Sequence, residues 1–446
     1  MKKNIIYFFF TLFIFVIESC YYFPQFYNYD ELVTGESFIS YDDEIIIGSC
    51  CKDGPAGLIT VMKKSDERWT QKQLIYMEEV ANQYRGPICF QINEKFLVVG
   101  LDSKRKQPGA VLVLRKNQDE WEKAYIIKSP LKEKDDLFGY TIALNGNKLL
   151  VGMKDSKEGG KAYLFTLMDD EYNLEKIFYP PDYENNKRFG SSVTMNDDFI
   201  IIIDTMLPNG TVYKLYENDD KEQKYKLFRT QIYLYEPRYY SLVSLINNCT
   251  DNIKMNSINN VFGRNPILSD NKLIFPETDN SLVVYDMNTK LENKISIDST
   301  IKFYRYSLAF IPSIPYNYAY SNNTLIAGNK IFKIEENSIR EQGKLVNKVF
   351  PEQSLESIKD GYLKGNLLLT HDYYCDNAER IKQQEQNNKD HYRTGCPVVE
   401  IEKPINQGRV HIMRLSPDGS YIEEAIIARR TTSEGKIEFY DLLHDE

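Results

Sequence analysis

Histidine and acidic residues near the C-terminal end of the sequence are the first candidates for catalytic chemistry. His371 is followed directly by Asp372, and His391 and His411 lie further along. A histidine beside a carboxylate can act as a general acid or base. However, the sequence has no G-x-S-x-G element to supply a nucleophile, and His411 falls within a predicted strand. We therefore predict no catalytic residue and a protein that is not an enzyme.

The N-terminal segment predicts export and a lipid attachment site. Lys2 and Lys3 precede an apolar run at 5–17, a pattern typical of a secretory signal. The sequence Ile17-Glu18-Ser19-Cys20 resembles the lipobox of bacterial lipoproteins. That resemblance implies cleavage before Cys20, diacylglyceryl modification of its sulfur and attachment to a membrane. We expect a signal peptide at 1–19, a lipid-anchored linker at 20–30 and a place in the cell envelope or at the cell surface; secretion without the lipid is the alternative.

Six further cysteines could form disulfides or bind metal. An even number in an exported chain permits up to three disulfides. Cys375 and Cys396 bracket a polar insertion with little apolar content, so a disulfide between them is the one pairing that we predict. No zinc site is predicted, because the sequence lacks a C-x-x-C pair and His391 has no second histidine at ligand spacing. The other cysteines are Cys50, Cys51, Cys89 and Cys249.

Charge and composition narrow the range of partners. The chain has 446 residues, a formal net charge of -9 and a pI near 5.3. Because surfaces that bind nucleic acid are usually basic, we predict no nucleic-acid partner. Aromatic residues make up 13% of the chain, which favours a strand-rich fold because flat side chains pack well on pleated sheets. No cofactor is predicted.

A short turn followed by an apolar strand recurs seven times along the sequence. In the clearest repeat, Asn145-Gly146-Asn147 reverses the chain between strands at Tyr140–Leu144 and Lys148–Gly152. Asn and Gly suit this turn because they accept the positive φ of a tight hairpin. Two more strands follow at Lys161–Leu167 and Leu174–Phe178, so one unit has four antiparallel strands. The second strands of the seven units lie at 44–48, 96–100, 148–152, 199–203, 272–276, 324–328 and 367–370.

Repeated β units with a period of about 50 residues are typical of a β-propeller. The sequence therefore predicts an all-β fold, a seven-bladed β-propeller of four-stranded antiparallel blades over residues 31–430. We predict the third strand of the fourth blade at Thr211–Tyr216 and a C-terminal tail at 431–446 that contains a possible edge strand. The predicted blades lie at about 31–80, 81–130, 135–180, 186–234, 261–297, 315–347 and 355–430.

Several short motifs carry a family resemblance. Phe138-Gly139 with Leu150-Val151-Gly152, and Phe189-Gly190 with Ser191-Ser192-Val193, resemble FG-GAP repeats, and Phe262-Gly263 is a third instance of the opening pair. FG-GAP repeats build the seven-bladed propeller of integrin α subunits and of many exported microbial proteins. The resemblance implies a propeller with an extracellular role in binding or adhesion.

Calcium binding is a property of some FG-GAP proteins that we do not expect here. Those proteins hold the ion in a loop of closely spaced Asp and Asn, because hard cations need several oxygen ligands. The corresponding loops of this sequence carry isolated acids such as Asp53, Asp102 and Asp155. No metal site is therefore predicted.

The chain topology predicts which face of the disc carries the longest loops. In an up-and-down blade, the loop between strands two and three and the connection to the next blade leave at one face. The turns between strands one and two, and between strands three and four, leave at the opposite face. Insertions at 235–260, 298–316 and 371–407 are all predicted on the first face, which we call the long-connection face. The opposite face is called the tight-turn face.

Tyr and Arg, two residue types enriched at interface hot spots, are frequent in these insertions. The sequence therefore predicts a non-catalytic protein that binds a protein or glycan ligand through the long-connection face. Packing of the same side chains onto the disc is the alternative explanation. An envelope scaffold is the second function considered, and a propeller hydrolase or lyase is the third. The candidate ligand-binding residues are Tyr235, Arg238, Tyr239, Tyr240, Tyr304, Arg305, Tyr306, Tyr373 and Tyr374.

Overall fold

The computed structural model describes residues 32–444 with gaps. The gaps are 52–56, 67, 104–107, 132–135, 155–158, 181–188, 207–211, 214–223, 226–227, 236–241, 251–266, 270–271, 279–280, 287–288, 290, 297–317, 322, 328–329, 336–338, 345–360, 373–407, 416–420 and 433–435. The apolar run at 5–17 and Cys20 therefore lie outside the described residues.

The described chain forms consecutive antiparallel sheets, most of them with four strands. The first three are β1 (Leu32–Tyr41), β2 (Glu44–Cys51), β3 (Gly57–Ser65) and β4 (Arg68–Tyr76); β5 (Tyr84–Ile92), β6 (Phe96–Ser103), β7 (Ala110–Asn117) and β8 (Glu120–Lys128); and β9 (Leu137–Asn145), β10 (Lys148–Lys154), β11 (Lys161–Met168) and β12 (Glu171–Phe178). A single helical turn, α1 (Met77–Ala81), joins the first sheet to the second.

The fourth sheet contains β13 (Phe189–Met195), β14 (Ile200–Met206), β17 (Phe228–Tyr235) and β18 (Leu242–Thr250), and β15 (Val212–Tyr213) pairs with β16 (Lys224–Tyr225) in the connection from β14 to β17. Next come β19 (Ile267–Ser269), β20 (Lys272–Thr278), β21 (Ser281–Asp286) and β22 (Glu292–Ser296), then β23 (Tyr318–Ser321), β24 (Thr324–Ala327), β25 (Lys330–Ile334) and β26 (Ile339–Lys344). The last sheet has five strands, β27 (Gly361–Lys364), β28 (Leu367–Asp372), β29 (Arg409–Leu415), β30 (Tyr421–Thr431) and β31 (Ile437–Asp441).

Neighbouring sheets pack face to face around a closed circuit. Each sheet contacts the next one along the chain, and the last sheet contacts the first. Ile46 packs in a cluster with the second sheet, whereas Ile45 and Ile47 pack in a cluster with the last sheet. Burial on both faces explains why the second and third strands are nearly continuous apolar runs. The fold is an all-β β-propeller with four-stranded antiparallel blades.

The predicted third strand of the fourth blade at Thr211–Tyr216 is wrong. The structure pairs β14 with Phe228–Tyr235, from Ile200↔Tyr235 to Met206↔Arg229. Within the predicted range, Val212–Tyr213 is extended but pairs with Lys224–Tyr225 in a separate hairpin. The remainder of the predicted range lies outside the described residues. The strand that pairs with β14 is set by long-range contacts, which short-range sequence does not encode.

Glycines allow the backbones of neighbouring blades to approach closely. A Cβ atom on Gly100 would lie 2.2 Å from the carbonyl oxygen of Gly139 in the next blade, and one on Gly152 would lie 2.2 Å from that of Gly190. Gly139 has a φ of 85°, which L side chains rarely adopt. These contacts give a physical reason for the recurring Phe-Gly pairs, since the phenylalanine is buried and the glycine meets the preceding blade.

A β-bulge recurs between the third and fourth strands of most sheets. In the first blade, Val61 pairs with Gln73 and Met62 with Gln71, so Lys72 is the extra residue. The bulge directs Gln71 and Gln73 to opposite faces of the blade, because Met62 and Val61 pack on opposite faces. Equivalent shifts occur at Val113/Leu114, Leu164/Phe165, Leu234/Tyr235, Ile331/Phe332 and Ile412/Met413.

Side chains next to these bulges cap the outer strand of the neighbouring blade. Gln73 accepts a hydrogen bond from Trp121 N at 2.9 Å and donates one to Trp121 O at 2.9 Å. In the next blade, Tyr125 Oη accepts from Tyr172 N at 2.9 Å. Trp121 and Tyr172, the second residues of β8 and β12, are thus fixed at their backbones and packed against the preceding blade.

We predict that Gly100→Ala lowers the free energy of unfolding by about 1–3 kcal/mol, the usual range for an overpacked core. The added methyl group would meet the Gly139 backbone, which cannot rotate away. Urea denaturation measures the change. Gly146→Asn is the control, because nothing lies within 4 Å of a Cβ atom there and Asn tolerates its φ of 54°. Equal losses for the two variants would contradict the close-approach explanation.

Candidate functional site

The strand directions place the predicted ligand-binding residues relative to the two faces. β22 ends at Ser296 and β28 ends at Asp372, both at the long-connection face. Tyr304, Arg305 and Tyr306 belong to the connection after β22, and Tyr373 and Tyr374 to that after β28. These five residues lie outside the described residues, and their role stays a prediction.

The fourth blade requires a correction to the predicted face. Tyr235 is the last residue of β17 and pairs with Ile200, the first residue of β14. It therefore lies at the tight-turn end of the sheet, and not in a connection to the fifth blade as predicted. The link from β17 to β18 leaves at the same end. Arg238, Tyr239 and Tyr240 belong to this link and are outside the described residues, as are Cys20, Cys375 and Cys396.

A buried carboxylate is the best-defined polar centre at the tight-turn face. The Glu44 side chain is 1% exposed and lies between the first and second blades. It accepts hydrogen bonds from Lys72, from Lys116 Nζ at 3.2 Å and from Trp121 Nε1 at 3.4 Å. The Lys116 ammonium also lies 5.3 Å from the centre of the Trp121 ring. Glu44 thus has three donors from two blades and no direct access to solvent.

Exposed turn carboxylates extend this network from blade to blade. Asp119, in the β7–β8 turn, binds Lys72 Nζ at 2.7 Å, and this hydrogen bond is the main cause that lowers the pKa of Asp119. Burial lowers the pKa of Lys72, but its hydrogen bonds to Asp119 and Glu44 outweigh burial and leave it raised. In the next blade, Asp170 binds Lys95 and lies 3.5 Å from Arg115 Nη1, so the same arrangement recurs.

A third ionic contact joins the last sheet to the first. Glu424 of β30 accepts from Lys64 of β3 and from Arg414, and Trp69 Nε1 donates to it at 3.3 Å. Burial raises the pKa of Glu424, but the hydrogen bonds from Arg414 and Lys64 outweigh burial and hold the pKa below its ordinary value. At two boundaries between sheets, a tryptophan Nε1 therefore donates to a carboxylate of the neighbouring sheet: Trp121 to Glu44 and Trp69 to Glu424.

His411 and Glu423 form a buried pair that the sequence only partly indicated. His411 lies within β29, as predicted, and its Nδ1 is hydrogen-bonded to Glu423 Oε1 of β30. The two side chains are 3% and 0% exposed. A pair without access to a substrate cannot act as a general acid or base. Glu423 was missed because nothing in its local sequence distinguishes it from an exposed glutamate.

The described residues offer little other chemistry. Cys89 is a free thiol whose Sγ lies 3.7 Å from the carbonyl oxygens of Gly139 and Tyr140. Burial raises the pKa of the Cys89 thiol to about 12, so the nucleophilic thiolate is scarce at neutral pH. Among the described residues, no group of three or more His, Cys, Asp or Glu side chains could hold a metal ion.

The described ranges contain no helix that is long and apolar enough to span a membrane.

Comparison with known proteins gives similarity to solved structures only. No protein-family model matches the sequence, and no curated protein matches it. The chain is similar to Sqt1 from Saccharomyces cerevisiae, with 11% identity, a TM-score of 0.42 and coverage of 93% of this chain and 97% of that one. For the WD40 repeats of RRP9 the values are 9%, 0.47, 76% and 87%, and for BamB from Moraxella catarrhalis 10%, 0.41, 91% and 96%. Because these identities and TM-scores are low, the propeller fold is assigned from the sheet topology of this chain itself.

We predict that Glu424→Gln lowers the free energy of unfolding by about 1–2 kcal/mol at neutral pH, because it weakens charge-assisted hydrogen bonds. The depressed pKa of Glu424 means that its contribution is fully present above the unfolded-state pKa, near 4.3, and is lost as the pH falls through the folded-state pKa. The difference between the two proteins should therefore shrink below about pH 4. Urea denaturation across this pH range measures it.

Glu94→Gln is the matched control, since Glu94 is an exposed carboxylate in the β5–β6 turn. A difference between Glu424→Gln and the unchanged protein that stays constant from pH 7 to acid pH would contradict the ionic role of Glu424.

Proposed function

We propose that the chain is an exported, lipid-anchored, seven-bladed propeller that binds a protein or glycan ligand through its long-connection face without catalysis. In this proposal the five-stranded sheet is the seventh blade with one added strand. Cys20 carries the lipid, and the polar insertion between Cys375 and Cys396 is closed by a disulfide. The repeats are of the FG-GAP type, which is consistent with the buried phenylalanines and closely packed glycines at Phe138-Gly139 and Phe189-Gly190.

Unequal connection lengths at the two faces are the observation that carries this proposal. At the tight-turn face, the links from β1 to β2, β9 to β10 and β27 to β28 are the two-residue turns 42–43, 146–147 and 365–366. At the long-connection face, the links from β22 to β23 and from β28 to β29 cover 297–317 and 373–408. Long connections on a rigid scaffold are where binding residues are usually found, so the longer links favour this face.

An envelope scaffold is the second candidate. A scaffold needs a further surface that can bind a partner. The tight-turn face offers one, since its turns carry many exposed carboxylates and few basic residues outside the ionic contacts between blades. Exposed acidic side chains within the described turns are Asp42, Asp43, Asp66, Glu94, Asp119, Asp169, Asp197 and Asp198. A hydrolase or lyase is the third candidate and has no supporting side-chain constellation among the described residues.

We predict that replacing both Tyr373 and Tyr374 with Ala weakens ligand binding about 30-fold or more, as expected for interface hot spots. The assay uses the purified protein on a panel of immobilised glycans and extracellular proteins. The control replaces Asp197 and Asp198, exposed at the tight-turn face, with Ala. Loss of binding in the control with retention in the tyrosine variant would exclude the long-connection face and favour the scaffold.

We also predict that the native N-terminus begins at Cys20 and that its sulfur carries a diacylglyceryl group. Mass spectrometry of the N-terminal peptide from the membrane fraction measures this modification. In a Cys20→Ala variant, the protein should leave the membrane fraction because its anchor is absent. An unmodified Cys20, or a glycan on Asn209 or Asn248, would exclude a bacterial lipoprotein.

A further inference from the structure

Among the described sheets, the last one alone has five strands, and the additional strand is β31. β31 pairs with the outer edge of β30, from Thr431↔Ile437 to Ile427↔Asp441, and it also contacts β4 of the first blade. The first and last sheets are not consecutive in sequence, whereas all other neighbouring sheets are. Among the described residues, only non-covalent contacts cross the boundary between these two sheets, which we call the closing seam.

The inner side of β31 is part of the apolar core of the closing seam. Ile437 and Phe439 are 7% and 4% exposed and belong to one cluster with Trp69 of β4 and Met62 of β3. The backbone N–H of Phe439 donates to Gln71 Oε1 of β4 at 3.0 Å. β31 thus connects to the last sheet through its backbone and to the first blade through side chains.

A buried carboxylate fixes the C-terminal end of the strand. The Asp441 side chain is 0% exposed, and its Oδ1 accepts from Ile426 N at 3.3 Å and from Leu443 N at 3.1 Å. His444 Nδ1 lies 2.7 Å from Asp441 Oδ2. Leu442 N also donates to Ile426 O at 2.8 Å. These bonds hold β31 against the middle of β30.

The outer side of β31 has different contacts, which makes a matched control possible. Glu438 and Tyr440 alternate with the buried residues and are only half-buried. The Arg430 guanidinium lies 3.3 Å from Glu438 and 4.8 Å from the centre of the Tyr440 ring. Neither side chain belongs to the apolar cluster at the closing seam.

We propose that β31 is a clasp that fastens the ring and that the boundary between β31 and β4 is where the ring opens. The strand has five residues and pairs with one strand, so it can detach without disrupting the ladders of the other sheets. When β31 detaches, Ile437 and Phe439 leave Trp69. The hydrogen bond from Phe439 N to Gln71 Oε1 of β4 is broken at the same time. Local opening of this kind requires less free energy than global unfolding.

Native-state hydrogen exchange followed by mass spectrometry tests this proposal on the full chain. In a Phe439→Ala variant, amides of β4 and β30 should exchange about tenfold faster or more. Loss of a buried aromatic side chain raises the equilibrium constant for local opening by at least that factor. Amides of β9 to β12 in the third blade should keep their rates. Tyr440→Ala, on the outer side of the same strand, should change neither group.

A second variant separates the clasp from general stability. Gln71→Leu removes the acceptor for Phe439 N but keeps a side chain of similar size, and it should accelerate the same amides of β4 and β30 by a smaller factor. If Phe439→Ala does not fold, Gln71→Leu alone decides the question. Equal acceleration of all sheets, or no acceleration at β4 and β30, would overturn the proposal.

Discussion

The close approach of backbones between neighbouring blades is the constraint on which this fold depends. At Gly100 and Gly152, no side chain fits between a second strand and the first strand of the next blade. This spacing brings apolar residues of both sheets into contact, which buries Ile46, Val98 and Leu150 completely. Because each central strand is covered on both faces, hydrophobic burial acts along the whole circuit and not within single sheets.

Polar contacts then fix the blades relative to one another at two levels. At the tight-turn face, Glu44, Asp170 and Glu424 each accept hydrogen bonds from a neighbouring blade. At the outer rim, Gln73 and Tyr125 bind the backbone of the next fourth strand. Apolar packing is non-directional, so these directional contacts set the register between blades that already attract each other.

Sequence alone identified the parts of the fold that local chemistry determines. Turns such as Asn145-Gly146-Asn147 were predictable because their conformation depends on the residues of the turn itself. The second strands were predictable because burial on both faces leaves an apolar run. The pairing of β14 with β17 was not, since a strand of suitable composition, Val212–Tyr213, came earlier in the chain. Of the proposed ligand-binding residues, Tyr235 was consequently assigned to the wrong face.

Buried carboxylates were equally inaccessible to sequence reasoning. Glu44 follows two exposed aspartates in a tight turn, and Glu423 precedes Glu424 in an ordinary polar stretch. Their burial depends on lysine, tryptophan or histidine partners from other strands, which only the folded chain brings together. Acidic composition therefore predicted the net charge of the surface but not the few carboxylates that join the blades.

The side-chain caps on the outer strands also bear on how two copies of the protein can meet edge to edge. An outer strand with unpaired N–H groups can recruit a strand from a neighbouring molecule, which is the route to edge-to-edge aggregation. At Trp121, Tyr172 and Phe439 the outward N–H group is already bound by a side chain from the adjacent blade. Two copies that met side by side would find no free N–H group at these three positions, so strand pairing between molecules cannot begin there.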